Sequence, residues 1–188
     1  MSANQTEIRV TGYGGQGVIL SGYIIGRAAT IYDNKNATMT QSFGPEARGS
    51  ACSISLIISP QPIYYPYITT PSILVAMSPD GFKKFYPDLA SDGIMVVEED
   101  LVKVREVGKK QKLFTCPVTR LAEELGKRLV LNVVMLGFFT AVTDVVSQEA
   151  MRQSISASVP TGTEELNLMA FEKGYAHFQE AKKAEVAT

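Results

Sequence analysis

Glu7-Ile8-Arg9-Val10-Thr11 alternates apolar with polar residues and then breaks into Gly12-Tyr13-Gly14-Gly15-Gln16-Gly17, so that a strand runs into a glycine turn. Val18, Ile19, Tyr23, Ile24, Ala28 and Ile31 follow at helical spacing, with Ser21, Arg27 and Thr30 between them. Asp33-Asn34-Lys35-Asn36 stops that helix, and residues 37–42 read as a second, modestly polar strand. Strand, glycine turn, helix and strand open a βαβ unit, which predicts an α/β fold around a parallel or mixed sheet.

The rest of the chain extends this pattern. Ile54, Leu56 and Ile58 alternate with serines in a strand over residues 51–59, and a proline- and tyrosine-rich surface connection covers residues 60–71. Ile73-Leu74-Val75-Ala76-Met77 is continuously apolar, as a strand covered on both faces must be. Ser78-Pro79-Asp80 starts a helix, residues 93–98 and 112–116 are further strands, and Pro117 opens a helix over residues 118–127. The last third is helical. Residues 132–143 are apolar on most sides, Ser147 caps a second helix, and Thr161 with Glu164, or Thr163, starts a third. The prediction is one domain over residues 1–188 with its core at about 7–180. It has a Rossmann-like open sheet, helices on both faces and a helical C-terminal third.

Composition removes several function classes. The 188 residues hold 18 Lys+Arg against 19 Asp+Glu, too little basic surplus for a broad grip on nucleic acid. Cys52 and Cys116 stand apart from each other and from any CxxC or CxxH, so neither a zinc ribbon nor an iron–sulfur site is expected in this chain. They read as reduced, buried thiols of a cytoplasmic protein. Residues 1–7 lack the apolar segment of a secretory signal, and the longest apolar run, residues 129–142, falls short of the ~20 a membrane span needs.

Gly12, Gly14 and Gly17 have GxGxxG spacing at the strand–helix junction, where glycines let the backbone approach a phosphate held by free N–H groups and the positive end of the helix dipole. A plain turn without ligand is the alternative. An NAD site further requires a carboxylate at the tip of the second strand, but Ser42-Phe43-Gly44 has none; Asp33 precedes the strand and Glu46 follows it. A Walker lysine is also missing. Gly15 and the Gln16 amide suggest instead a loop that bonds to a polar group in front of it. A second loop, residues 44–50, should lie on the same sheet edge, where Arg48 offers a fork to phosphate or carboxylate, and Gly49 and Ser50 add donors; a Glu46–Arg48 pair closing a tight turn is the alternative. Asn132 reads as a cap or buried hydrogen-bonding residue ahead of a contact to substrate, His177 as a surface or partner-contact residue ahead of a catalytic one, and Glu98-Glu99-Asp100 as a solvated turn.

Four segments together resemble the gamma subunit of 2-oxoacid:ferredoxin oxidoreductases, the 2-oxoglutarate and ketoisovalerate types most closely and the pyruvate type beside them. They are the glycine turn with the Val-Ile-Leu-Ser-Gly that follows it, Gln41-Ser42-Phe43-Gly44-Pro45-Glu46-Ala47-Arg48-Gly49-Ser50, the Asn132-Val133-Val134-Met135-Leu136-Gly137 helix, and Glu165-Leu166-Asn167-Leu168-Met169-Ala170-Phe171. Ser50 replaces the final glycine usual in the family's second loop. The resemblance implies a heteromeric enzyme, inactive as this chain alone, that oxidatively decarboxylates a 2-oxoacid, reduces ferredoxin and forms acyl-coenzyme A. It implies alpha and beta (thiamine-binding) subunits and a ferredoxin-like delta subunit as partners, which hold thiamine diphosphate, magnesium and the iron–sulfur clusters. This chain has no GDG sequence for thiamine binding. It would contact coenzyme A through Gly12, Gly14, Gly15, Gln16 and Gly17 and through Gly44, Glu46, Arg48, Gly49 and Ser50, and would supply no catalytic residue and no metal ligand.

Overall fold

The computed structural model describes residues 5–42 and 51–186. The central strand β1 (Thr6–Tyr13) is followed by α1 (Val18–Arg27), which continues as a wider π-helical turn over Ala28–Tyr32. Then come β2 (Asn36–Ser42), β3 (Ala51–Ser59), β4 (Ile73–Ala76), α2 (Pro79–Phe85), β5 (Ile94–Glu98), β6 (Lys112–Cys116) and α3 (Val118–Glu124). The chain finishes with α4 (Leu131–Thr143), α5 (Gln148–Ser156) and α6 (Glu164–Val186). The strands form one sheet in the order β2-β3-β1-β4-β5-β6.

β1, β4, β5 and β6 are parallel, whereas β3 runs antiparallel to both β1 and β2. The second strand therefore does not lie beside the first, as a simple βαβ unit would place it; β3 is inserted between them. The physical reason lies in β3 itself. Ile54, Leu56 and Ile58 bury one face with full cross-strand pairing to β1, while β2, with few apolar residues, takes the exposed edge. Because β2 and β1 both run opposite to β3, their carboxyl ends still point to the same sheet edge.

Strand alternation divides the core into two layers. Ile8, Val10, Ile54, Leu56, Ile73, Val75 and Val96 face α1, α4, α5 and α6. Leu74, Ala76, Met95 and Val97 face α2 and the adjoining Leu89 and Val102. Arg9 emerges on this second face, stacked 4.4 Å from the Phe85 ring centroid and 3.8 Å from Asp88. Helix α4 is buried from Leu131 to Thr140, between the sheet and α6. Its closest approach to α6 uses two glycines: a side chain on Gly137 would strike the Phe171 carbonyl, and one on Gly174 the Val134 carbonyl.

Local capping follows the chemistry of the residues. Ser78 accepts from Gly81 N at 3.2 Å and Ser147 from Ala150 N at 3.1 Å, each starting its helix as a hydroxyl cap. Asp33 accepts from Ser147 N (2.7 Å) and Oγ (2.6 Å), so the carboxylate nearest to an NAD role in sequence is instead tied to the start of α5. Among the described residues no helix is long and apolar enough to cross a membrane.

Candidate functional site

β1 and β4 are parallel neighbours, but the chain leaves β1 toward α1 on one face and β4 toward α2 on the other. This is a topological switch point, where an open α/β sheet forms a crevice at the carboxyl ends of its strands. The glycine turn sits there. Gln16 bridges the ends of β1 and β4, its Oε1 accepting from Tyr13 N at 2.6 Å and its Nε2 donating to Met77 O at 3.0 Å. Met77 N in turn donates to Thr11 O at 2.8 Å. Tyr13 Oη donates to Asp80 Oδ2 at 2.9 Å, and that bond raises the phenol above its ordinary range. The Gln16 amide, read from sequence as facing outward, makes its two bonds inside the chain and fastens the turn.

The four glycines of the turn answer different needs. A Cβ on Gly12 would lie 2.6 Å from Gln16 Oε1 and 2.9 Å from Val18 Cγ2, so this position has no room. Gly15 and Gly17 adopt φ of +93° and +70°, where side-chain-bearing residues are strained. Gly14 is exposed, with an ordinary φ and nothing within 4 Å of a would-be Cβ, so nothing inside the described chain requires glycine there. Beyond it α1 begins with an uncapped N-terminus, whose first N–H groups have no intrahelical acceptors and carry the positive end of the dipole.

Asn132 belongs to this site in space, although it is distant in sequence. Its side chain presses on the N-cap residue of α1: a Cβ on Gly17 would lie 2.6 Å from both Cγ and Nδ2. Asn132 does not cap α4, which starts at Leu131 with Val130 as its N-cap residue and no side-chain cap. It is 4% exposed, and its Nδ2 has no hydrogen-bond partner among the described residues.

The second loop, with Gly44, Glu46, Arg48, Gly49 and Ser50, lies outside the described residues. Its anchors do not. Ser42 pairs with Ser53, which pairs with Thr11, and Ala51 pairs with Tyr13, so the strands on either side of the loop end beside the glycine turn. Cys52 donates from Sγ to Gly12 O at 3.6 Å, and Thr11 Oγ1 donates to Cys52 O at 3.1 Å. Burial raises the Cys52 thiol above its ordinary range, so it is not a poised nucleophile.

The remaining candidates serve the frame. Glu98 is fully buried rather than solvated, accepting from Leu101 N at 2.6 Å and Thr119 N at 3.4 Å. Glu99 and Asp100 pair with Arg120 at 2.7 and 2.9 Å. His177 is half-buried against Phe138, ring centroids 5.9 Å apart. A separate groove of about 340 Å³ between α1 and β2 is lined by Tyr23, Arg27, Thr30, Ile31 and Met39, and shares no lining residue with the turn.

Known proteins share this sequence pattern and fold. The model of the pyruvate ferredoxin/flavodoxin oxidoreductase family matches residues 7–177. The 2-oxoglutarate synthase subunit KorC of Methanocaldococcus jannaschii is 48% identical over 171 residues, 90% of this chain and 91% of that one. The solved keto/oxoacid ferredoxin oxidoreductase gamma subunit of Geobacter sulfurreducens superposes with a TM-score of 0.83 at 36% identity, covering 93% of this chain and 96% of its own. The 2-oxoglutarate:ferredoxin oxidoreductase of Magnetococcus marinus, solved with 2-oxoglutarate, coenzyme A and succinyl-CoA bound, shares the fold at a TM-score of 0.82 and 20% identity; the match covers 93% of this chain and 31% of that longer one. The chain belongs to the pyruvate ferredoxin/flavodoxin oxidoreductase family, as a gamma-type subunit of the 2-oxoacid:ferredoxin oxidoreductases.

Proposed function

We propose that this subunit helps to hold coenzyme A in a 2-oxoacid:ferredoxin oxidoreductase complex, with the glycine turn as one half of the grip and Arg48, Gly49 and Ser50 as the other. The observation that carries the proposal is Gly14: an exposed glycine with no internal reason to be one, in front of an uncapped helix N-terminus at the switch point of the sheet. Coenzyme A suits such a site because it carries a pyrophosphate and a further phosphate. When bound, it supplies the thiol that accepts the acyl group. The residues of this chain bind and orient it: the turn through backbone N–H groups, Arg48 through its charged fork.

The other cofactors are assigned to other chains. Alpha and beta subunits hold thiamine diphosphate with magnesium, and a ferredoxin-like delta subunit passes electrons to ferredoxin, all in the cytoplasm. Among the described residues no three His, Cys, Asp or Glu side chains form a metal-binding group. Cys52 and Cys116 stand on strands four sheet positions apart, about 19 Å at the usual strand spacing.

Steady-state kinetics of the reconstituted complex test the reading. Arg48→Ala and Gly14→Val should each raise the KM for coenzyme A about tenfold, the worth of one charge-assisted contact, and leave the KM for the 2-oxoacid within twofold. Equal changes in both constants refute the clamp. Normal coenzyme A kinetics with impaired assembly would make the turn a packing surface for a partner subunit instead.

A further inference from the structure

A buried amide without a partner is a standing cost, because its N–H loses water and gains nothing. Among the described residues Asn132 Nδ2 has no partner, and it lies against Gly17, the residue that caps α1 and closes the glycine turn. Three features of this contact are unusual together. Gly17 is held in a left-handed conformation at φ +70°. Any side chain on it would collide with Asn132. The surroundings of Asn132 on α4 are otherwise apolar: Leu131, Val133, Val134, Met135 and Leu136 are all buried. A leucine would meet the needs of packing at position 132 without leaving a donor unmatched. The amide is therefore out of place as a core residue and in place as part of a polar site at the start of α1.

We propose that Asn132 is a ligand-binding residue of the glycine-turn site, its Nδ2 donating to an anionic oxygen that settles against the N-terminus of α1. This inference rests on the reading of the turn as a coenzyme A site, and it adds a third contribution from a different element. The helix N–H groups supply partial positive charge, the exposed glycines supply access, and Asn132 supplies a directional donor from beneath the turn. The ligand settles the unmatched donor, so the site holds part of its binding energy as an unmet hydrogen bond in the free chain. Asn132→Leu should separate stability from binding.

The experiment measures the Tm of the full chain and, in the reconstituted complex, the calorimetric Kd and the KM for coenzyme A beside the KM for the 2-oxoacid. Asn132→Leu should hold or raise the Tm, by up to about 4 °C, because it removes an unmatched donor. It should also weaken coenzyme A binding about tenfold with the 2-oxoacid KM within twofold. Asn132→Ala, which cannot overpack the site, should give the same split between the two substrates. If Gly14→Val weakens coenzyme A binding while neither Asn132 variant does, the turn is a coenzyme A site and Asn132 is not part of it. If none of the three variants affects coenzyme A, the reading of the turn fails and this inference with it. A loss confined to the 2-oxoacid KM also overturns it.

Discussion

Gln16 illustrates how far a residue type can be read before its neighbours are known. An amide in a glycine-rich turn suggests an outward contact, yet here the bonds to Tyr13 N and Met77 O turn it into a cross-brace between β1 and β4. Gln16→Ala leaves both backbone groups short of a partner and should lower stability by about 1–3 kcal/mol, measurable by urea unfolding. The glycines were legible as glycines, but not the reason for each: Gly12 is packed, Gly15 and Gly17 are conformational, and Gly14 is open. Asn132 could have been drawn to the turn only by knowing that α4 passes beneath Gly17, a long-range contact that no local spacing encodes. Both cysteines were legible as buried, and burial pushes both thiols above their ordinary value of 9.0. Native protein at pH 8 should therefore react slowly with a thiol reagent such as a maleimide, and two thiols should appear on adding denaturant. Because the folded-state values lie above the unfolded one, the associated stability is complete below pH 9.0 and falls away as pH rises beyond it, which unfolding curves across that range will show.

At the scale of elements, strands and helices were legible where their signals are local. The apolar run of β4, the Ser78-Pro79 start of α2 and the Ser147 cap of α5 each state their structure within a few residues. Strand order was not, because alternation assigns faces but not neighbours; the antiparallel insertion of β3 follows from distant pairing partners in β1, from Tyr13 with Ala51 to Thr6 with Ile58. The apolar character of α4 announced burial, but not its partner. That partner is α6, and the contact depends on Gly137 and Gly174, at which the two helix backbones meet without intervening side chains. Gly137→Ala or Gly174→Ala should force the helices apart and cost about 3 kcal/mol or more, whereas Gly14→Ala, with open space around it, should leave the unfolding midpoint nearly unchanged. The comparison isolates helix contact from the general effect of replacing glycine.

The described residues form a middle covered on both faces and a more exposed rim. β1, β4 and β5 are covered on both faces by the two apolar layers, while β2 lies at the sheet edge with several residues exposed. Hydrogen exchange should be slowest at the amides of these three central strands and fastest along β2, and an order reversed between β1 and β2 would contradict the architecture. The glycine turn lies where that doubly covered middle ends, at the carboxyl ends of β1 and β4. The antiparallel placement of β3 has a further consequence for how such proteins can diversify. β2 and β3 are antiparallel neighbours locked by continuous pairing from Asn36 with Ser59 to Ser42 with Ser53, so joining them needs no crossover of the sheet. Lengthening a connection between such neighbours costs only about 0.6 kcal/mol per doubling and disturbs no strand, so this frame can accept changes between β2 and β3 while keeping the glycine turn unaltered.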